Sequence, residues 1–163
     1  MKGLMALRSA FERLLEVITI LLMISLAVVV VVGVIYRGAG LALAWYDEVA
    51  SVQLAWLTYY GSALAALKRA HIGVPGVVAA LGPRMRVFLV IVARAVVIGF
   101  FAVLAWLGFE VLQVLEGDTL ISLPQVSTQI TQSVIPIGAV LFIIAEIVNL
   151  PLVLREARVP SGA

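Results

Sequence analysis

Four long runs of apolar residues, separated by short polar connections, account for most of the 163-residue chain. The runs are Leu14 to Tyr36, Trp45 to Leu67, Val87 to Leu115 and Ser133 to Leu154. Each is long enough, at a rise of about 1.5 Å per residue, to cross a hydrocarbon core of about 30 Å as a helix. A backbone inside the bilayer must satisfy its own hydrogen bonds, which favours helices over open strands. The pattern therefore predicts an all-α integral membrane protein with four transmembrane helices.

The first residues of the chain have a different pattern, in which apolar residues recur at helical spacing opposite charged ones. Leu4, Leu7 and Phe11 share one face, whereas Arg8 and Arg13 lie elsewhere around the helix. This amphipathic stripe predicts an N-terminal interfacial helix that runs into the first span. The apolar run that follows is longer than the core of a secretory signal, so we expect an uncleaved first span.

Prolines mark the connection before the fourth span. Pro124 can occupy the first turn of a helix, in which Val126, Ile130 and Val134 would share a face. Pro136 then falls inside the continuing helix, where its missing amide should produce a kink. We therefore expect a shallow helix at the membrane surface that bends at Pro136 into the fourth span.

Composition and charge indicate a single four-span membrane domain over residues 1–163. The chain is 64% hydrophobic and 12% charged, too apolar for a soluble globule, and no connection is long enough for a second domain. Nine of its eleven basic residues fall on one side of the predicted spans: Lys2, Arg8, Arg13, Lys68, Arg69, Arg84, Arg86, Arg155 and Arg158. The positive-inside rule then places both termini in the cytoplasm. Because these residues adjoin membrane ends and lack interleaved aromatics, topology explains them better than nucleic-acid binding does.

Motifs for soluble catalysis are absent from the sequence. There is no phosphate-binding glycine loop, no dinucleotide-binding glycine pattern and no zinc-protease motif. The chain has no cysteine and a single histidine, His71, which argues against cysteine metal sites and against haem held by two histidines. We therefore expect no catalytic, metal or cofactor site on this chain.

Several short motifs occur together in an order that resembles a known family. They are Arg37 at the end of span one, W-x-x-E at Trp45 to Glu48, Trp56, the run from Tyr59 to Ala63, Lys68-Arg69-Ala70-His71-Ile72, Leu123-Pro124 and Ile135-Pro136-Ile137-Gly138. In motif order, length and span count, essentially the whole chain resembles the small membrane (Q-type) subunit of a TRAP transporter, the tripartite ATP-independent periplasmic type. It departs from the family pattern at Gly73-Val74-Pro75, where polar residues are more usual.

The resemblance implies a non-catalytic scaffold subunit of a sodium-coupled secondary transporter that imports organic acids. Such a subunit works with a large membrane subunit, which carries the substrate and sodium sites, and with a periplasmic substrate-binding protein. The implied location is the cytoplasmic (inner) membrane of a bacterium or archaeon, where membrane lipids surround the spans. Sodium is expected on the large subunit, and no cofactor on this chain.

Two other functions stay open at this point. The small membrane subunit of a tripartite tricarboxylate transporter also has four spans, although W-x-x-E and the basic-His-Ile element fit it less well. An independent oligomeric channel or exporter would use Arg94, Glu110 and Glu146 as pathway residues.

Residues near the ends of span two are candidates for structural or interface contacts. Arg37 and Glu48 flank the first connection and are predicted to form an ion pair. Trp56 is interpreted as a packing or interfacial aromatic residue. His71, at the opposite end of the span, is interpreted as a helix-end or lipid-headgroup contact.

Two further candidates, Arg94 and Glu146, lie deep inside predicted spans. Arg94 is eight residues from Arg86, and Glu146 is nine residues from Arg155, which places them about 12 and 13 Å from the same membrane boundary. Charges at such a depth are costly unless neutralised, and consecutive spans are usually neighbours. We therefore predict a buried ion pair between Arg94 and Glu146. The alternatives are that Arg94 extends to lipid headgroups or meets a partner on the large subunit.

Overall fold

The computed structural model describes residues 2–70 and 82–158, and most of these residues lie in helices. Its helices are α1 (Lys2–Gly38), α2 (Tyr46–Leu67), α3 (Pro83–Val114), α4 (Thr128–Gln132) and α5 (Val134–Arg158). The four long helices coincide with the four predicted apolar runs, although α1 extends beyond its predicted bounds at both ends and α3 and α5 each extend at one end. The interpretation of His71 falls on residues 71–81, which lie outside the described residues.

Three segments are long and apolar enough to cross a membrane: Arg8–Gly38, Arg84–Val114 and Thr128–Ala157. Helix α2 is not among them, because polar residues such as Gln53, Thr58 and Ser62 lower its mean hydropathy. The structure thus confirms an all-α protein with helices long and apolar enough to cross a membrane. Three segments of the described residues meet this criterion, whereas four spans were predicted.

The predicted N-terminal interfacial helix is not a separate element. Helix α1 runs without a break for 37 residues, from the amphipathic start through the whole first apolar run. No proline interrupts this sequence, and the i→i−4 hydrogen bonds of one part continue directly into the next. At about 1.5 Å per residue such a helix is about 55 Å long, so it exceeds the hydrocarbon core and its first turns extend beyond it.

The long helices contact one another in the spatial order α1, α2, α5, α3. Their shared core is small and lies in the half of the molecule that contains the C-terminus of α2. It consists of Leu15, Ala63, Ala66, Leu67, Phe142 and Ala145. The rings of Phe101 on α3 and Phe142 on α5 stack with centroids 3.8 Å apart. This core joins all four long helices around the last turns of α2.

In the other half of the molecule, small residues allow the helices to approach closely. A Cβ atom on Gly138 of α5 would lie 2.6 Å from Cβ of Tyr59 on α2. A Cβ atom on Gly108 of α3 would lie 3.0 Å from the Ile135 side chain and 3.1 Å from the Pro136 ring. Glycine at helix interfaces brings backbones together, which is the usual basis of packing in a membrane where water does not drive association.

Residues 115–127, here called the α3–α4 loop, form a tight hairpin before the short helix α4. The Leu120 amide donates to the Val126 carbonyl at 3.0 Å, and the Thr128 amide donates to the Asp118 carbonyl at 2.9 Å. The Ser127 hydroxyl caps α4 by accepting from the Gln129 amide at 3.2 Å. The helix therefore begins at Thr128 and not at Pro124 as predicted.

The chain bends before Pro136 and not at it. Helix α4 ends at Gln132, Ser133 separates the two helices, and Pro136 occupies the first turn of α5. A first-turn amide has no partner within its own helix, so proline is tolerated there without a kink. The predicted bend into the fourth span exists, but it is a break between two helices at Ser133.

Candidate functional site: a polar layer and the contacts of the α3–α4 loop

The most deeply placed charges are Arg94 on α3 and Glu146 on α5, and the structure confirms the predicted contact between them. The guanidinium of Arg94 forms an ion pair with the Glu146 carboxylate. The Glu146 side chain is only 3% exposed, whereas that of Arg94 is 25% exposed. Glu110 takes no part in this pair, since its carboxylate accepts a hydrogen bond from the Trp106 indole at 2.8 Å.

Asn149, one turn beyond Glu146 on α5, links this pair to the end of α2. Its amide group donates to the backbone carbonyls of Ala66 at 2.8 Å and Leu67 at 3.0 Å, and the residue is 1% exposed. The last four carbonyls of a helix lack partners within the helix, so a side-chain donor from a neighbour satisfies them. Asn149 is not among the residues predicted from the sequence. A lone amide three residues after a deep carboxylate, in an otherwise apolar run, was the available signal.

The C-terminus of α2 is closed by its own backbone and by α1. The Arg69 amide donates to the Ala66 carbonyl at 3.0 Å, and the Ala70 amide donates to the Ala65 carbonyl at 2.9 Å, the two bonds of a Schellman motif. Arg69 accordingly has a φ of 58°, a conformation usually taken by glycine. From α1, the Arg8 guanidinium donates to the Leu67 carbonyl at 3.1 Å.

We call the set formed by Arg8, Arg94, Glu146, Asn149 and the carbonyls of Ala66 and Leu67 the polar layer. It contains at least one group from each of the four long helices, and its members lie within about two turns of the α2 C-terminus. Each buried polar contact would cost free energy if one partner were lost, because the other would remain without a hydrogen bond in an apolar surrounding. The layer therefore favours one arrangement of the four helices over others.

Ion pairs surround the polar layer where α2 ends. Lys68 pairs with Glu16, and more distantly with Glu12 at 3.9 Å, both on α1. The hydrogen bond that Lys68 donates to the Glu16 carboxylate raises the pKa of Lys68, because it stabilises the ammonium form. Arg69 makes two hydrogen bonds with the Glu156 carboxylate of α5, one of them at 2.7 Å. These pairs are at least one-third exposed and contribute modestly to stability.

At the N-terminal end of α2 the predicted pair between Arg37 and Glu48 does not form. Arg37 instead lies 3.8 Å from the Asp47 carboxylate and over the ring of Tyr46, with both charged side chains well exposed. Successive residues of a helix point about 100° apart, so Asp47 and Glu48 face different neighbours. The prediction of an Arg37–Glu48 pair is therefore wrong, because Arg37 contacts Asp47 instead.

Glu48 binds the α3–α4 loop. Its carboxylate accepts hydrogen bonds from the Ile121 amide at 3.0 Å, the Ser122 amide at 2.9 Å and the Ser122 hydroxyl. Consecutive backbone N–H groups that converge on one point form a concave anion site, and here that site is filled by a side chain of the same protein. Glu48 thus fixes the loop to the first turn of α2.

Trp56 lies two turns further along α2 and binds the segment that follows this loop. Its indole donates to the Thr131 carbonyl of α4 at 2.9 Å, and its ring lies 6.2 Å from that of Tyr60. On the other side, the Gln129 side chain donates to the Leu112 carbonyl near the end of α3 at 2.8 Å. Trp56 is therefore a packing aromatic with a polar function, and α4 is held between α2 and α3.

A polar contact that was not predicted from the sequence joins α1 and α2. The Gln53 amide donates to the Ser25 hydroxyl at 2.7 Å, at a level of both helices that is otherwise apolar.

Within the described parts of the chain, no group of three or more histidine, aspartate or glutamate side chains is arranged to hold a metal ion. The polar groups described here serve to join helices.

The family model described as "Tripartite ATP-independent periplasmic transporters, DctQ component" matches residues 26–156. The matched region contains α2 with Glu48 and Trp56, the α3–α4 loop, and both members of the Arg94–Glu146 pair. No curated protein matches the chain.

Proposed function

Because the chain belongs to the DctQ component family of tripartite ATP-independent periplasmic transporters, we propose that it is the scaffold subunit of a sodium-coupled importer of organic acids. A member of this family is the small component of a tripartite transporter, beside a larger membrane subunit and a periplasmic binding protein. In the proposal, the substrate and sodium sites belong to the large subunit. This chain provides a fixed surface against which the large subunit moves.

The observation that supports a scaffold is the use made of the deep charges. In a conduction pathway, ionisable residues face a water-filled cavity or the bundle interior where ions pass. Here the Glu146 carboxylate is almost completely buried and is neutralised by Arg94. The side-chain amide of Asn149 donates to the backbone at the end of α2. These groups join helices. The family match also favours this function over the tricarboxylate-transporter subunit and over the independent channel.

The proposal includes a location and a topology. We infer that the protein lies in the cytoplasmic membrane of a bacterium or archaeon, crosses it four times and has both termini in the cytoplasm. Helix α2 would be the fourth crossing: its 22 residues are about 33 Å long, which is sufficient for a core of about 30 Å. Its polar groups face neighbouring helices rather than lipid. Gln53 bonds to α1 and Trp56 bonds to α4, while the carbonyl of Ala66 on its last turn accepts from Asn149 of α5.

Reconstitution tests the division of labour between the subunits. Liposomes that contain this chain alone, under an inward sodium gradient, should take up no organic acid from a panel of labelled carboxylates. Liposomes that contain the chain, the large subunit and the binding protein should take up at least one. The matched control omits only this chain, and uptake should then be lost. Sodium-driven uptake by the chain alone, or undiminished uptake without it, would contradict the scaffold function.

A further inference from the structure

A cleft of about 330 Å³ lies on the surface of α3 near its C-terminal end. It is lined by Trp106, Phe109, Glu110 and Gln113, which follow one another at helical spacing and share one face. This face is exposed: Trp106 is 69% and Phe109 is 60% accessible. The Glu110 carboxylate is held at one side of the cleft by its hydrogen bond from the Trp106 indole at 2.8 Å.

The Glu110 end of this cleft corresponds in depth to the headgroup layer of the bilayer. Helix α3 has 32 residues and is therefore about 48 Å long, whereas the bilayer measures about 40–45 Å with its headgroups and about 30 Å without them. Glu110 is four residues from the last residue of α3, or about 6 Å along the axis. For a helix centred in the membrane this lies within the polar layer, outside the hydrocarbon core.

The chemistry of the cleft fits a primary ammonium group. A carboxylate attracts a cation and accepts its N–H bonds, and aromatic faces attract cations through their quadrupole. Gln113, which also lines the cleft, carries a further acceptor in its side-chain amide. At this depth, the abundant ammonium group is that of a phosphatidylethanolamine headgroup, whose acyl chains would lie along the exposed apolar residues of α3 below the cleft, including Phe100 and Val103.

We propose that the cleft formed by Trp106, Phe109, Glu110 and Gln113 is a binding site for phosphatidylethanolamine. Binding depends on the negative charge of Glu110, which the Trp106 indole orients. The site requires only that α3 crosses the membrane, and it is independent of the substrate and partners proposed above.

Native mass spectrometry of the purified full-length chain tests the site. The protein is mixed with equimolar phosphatidylethanolamine and phosphatidylglycerol of identical acyl chains, and the lipids retained after activation are counted. Glu110→Gln should retain about fivefold less phosphatidylethanolamine than the wild type, since the variant loses one exposed ion pair, whose contribution is modest. Phosphatidylglycerol, which the basic helix ends attract, should be retained equally by both proteins and serves as an internal reference.

Glu116→Gln is the matched control, because Glu116 is an exposed carboxylate six residues further on and outside the cleft. It should leave retention of both lipids unchanged. Equal retention of phosphatidylethanolamine by wild type and Glu110→Gln would overturn the proposal, as would an equal loss in Glu116→Gln. Co-purification with the large subunit provides another refuting outcome: if Glu110→Gln releases the large subunit without altering lipid retention, the cleft binds a cationic side chain of that protein instead.

Discussion

Glu146 shows how a single residue can determine helix packing in an apolar protein. Its side chain is 3% exposed in a helix whose outward residues are aliphatic, so an unneutralised carboxylate there would be strongly unfavourable. Arg94 neutralises it from α3. The pair therefore requires that α3 and α5 meet at one register, and a shift by one turn would separate the charges by about 5 Å.

A double-mutant cycle tests this coupling. Arg94→Leu should destabilise the protein by up to about 3–5 kcal/mol, because it leaves the buried Glu146 carboxylate without its partner. Glu146→Leu should destabilise the protein less, because the Arg94 side chain is 25% exposed. The double variant should lose less than the sum of the two, since no unpaired charge remains. Thermal unfolding in detergent measures the cycle. Arg84→Leu, at an exposed position of the same helix, is the control for loss of a positive charge. Additive losses would show that the two charges are not coupled.

The contrast between this pair and Glu48 shows what a sequence can reveal about single contacts. Depth along a straight helix follows from the rise per residue, so the matching depths of Arg94 and Glu146 could be calculated in advance. The partner of Glu48 could not. Its partner consists mainly of the backbone amides of Ile121 and Ser122. Nearly every residue has a backbone amide, so the sequence does not mark these two, and only the folded loop brings them together. Charge complementarity directed the prediction to Arg37, the nearest side chain of opposite sign.

At the level of elements, the helices were predictable and their ends were not. The four apolar runs marked the long helices because their period and length are encoded directly in the sequence. The end of α2 has no glycine at its left-handed position; Arg69 adopts φ 58° there and is held by Glu156. Likewise, Pro136 indicated a bend, but whether proline kinks a helix or begins one depends on where the preceding helix stops, at Gln132.

The α3–α4 loop is the element whose structure depends most on one side chain. Glu48 accepts hydrogen bonds from the amides of Ile121 and Ser122, while the Ile121 side chain is 95% exposed and contributes no packing. We expect Glu48→Ala to increase amide hydrogen exchange in the peptide that contains these two residues by roughly tenfold or more, because hydrogen bonds to a charged acceptor are lost. Exchange in α3 should not change.

Asp47→Ala is a suitable control for this experiment, since Asp47 neighbours Glu48, is exposed and contacts Arg37 instead of the loop. Its loop exchange should equal that of the wild type. Equal exchange in wild type and Glu48→Ala would mean that the hairpin bonds of the loop, such as Leu120 to Val126, are sufficient to hold it.

For the whole molecule, the contacts divide the protein into two ends. At one end, Glu48 joins the start of α2 to the α3–α4 loop. At the other, Arg8 joins α1 to the last turn of α2, and Arg69 joins the same region to Glu156 near the C-terminus of α5. The first connection and the α3–α4 loop are therefore together, and the early part of α1 and the end of α5 are together about one helix length away. This arrangement agrees with the charge distribution that predicted both termini on one side.

Cysteine labelling in intact cells tests this arrangement, and the chain has no native cysteine to interfere. Single cysteines at Ala42, in the first connection, and at Ile121, at the exposed tip of the α3–α4 loop, should react with a membrane-impermeant maleimide added from outside. A cysteine at Ala79, in the connection flanked by Lys68, Arg69, Arg84 and Arg86, should react only after the membrane is permeabilised, because basic connections stay in the cytoplasm. Labelling of all three after permeabilisation is the control for reactivity. If the cysteines at Ala42 and Ile121 reacted from opposite sides of the membrane, the contact of Glu48 with the loop could not exist there. If the cysteine at Ala79 reacted in sealed cells, the orientation would be the reverse of the one inferred.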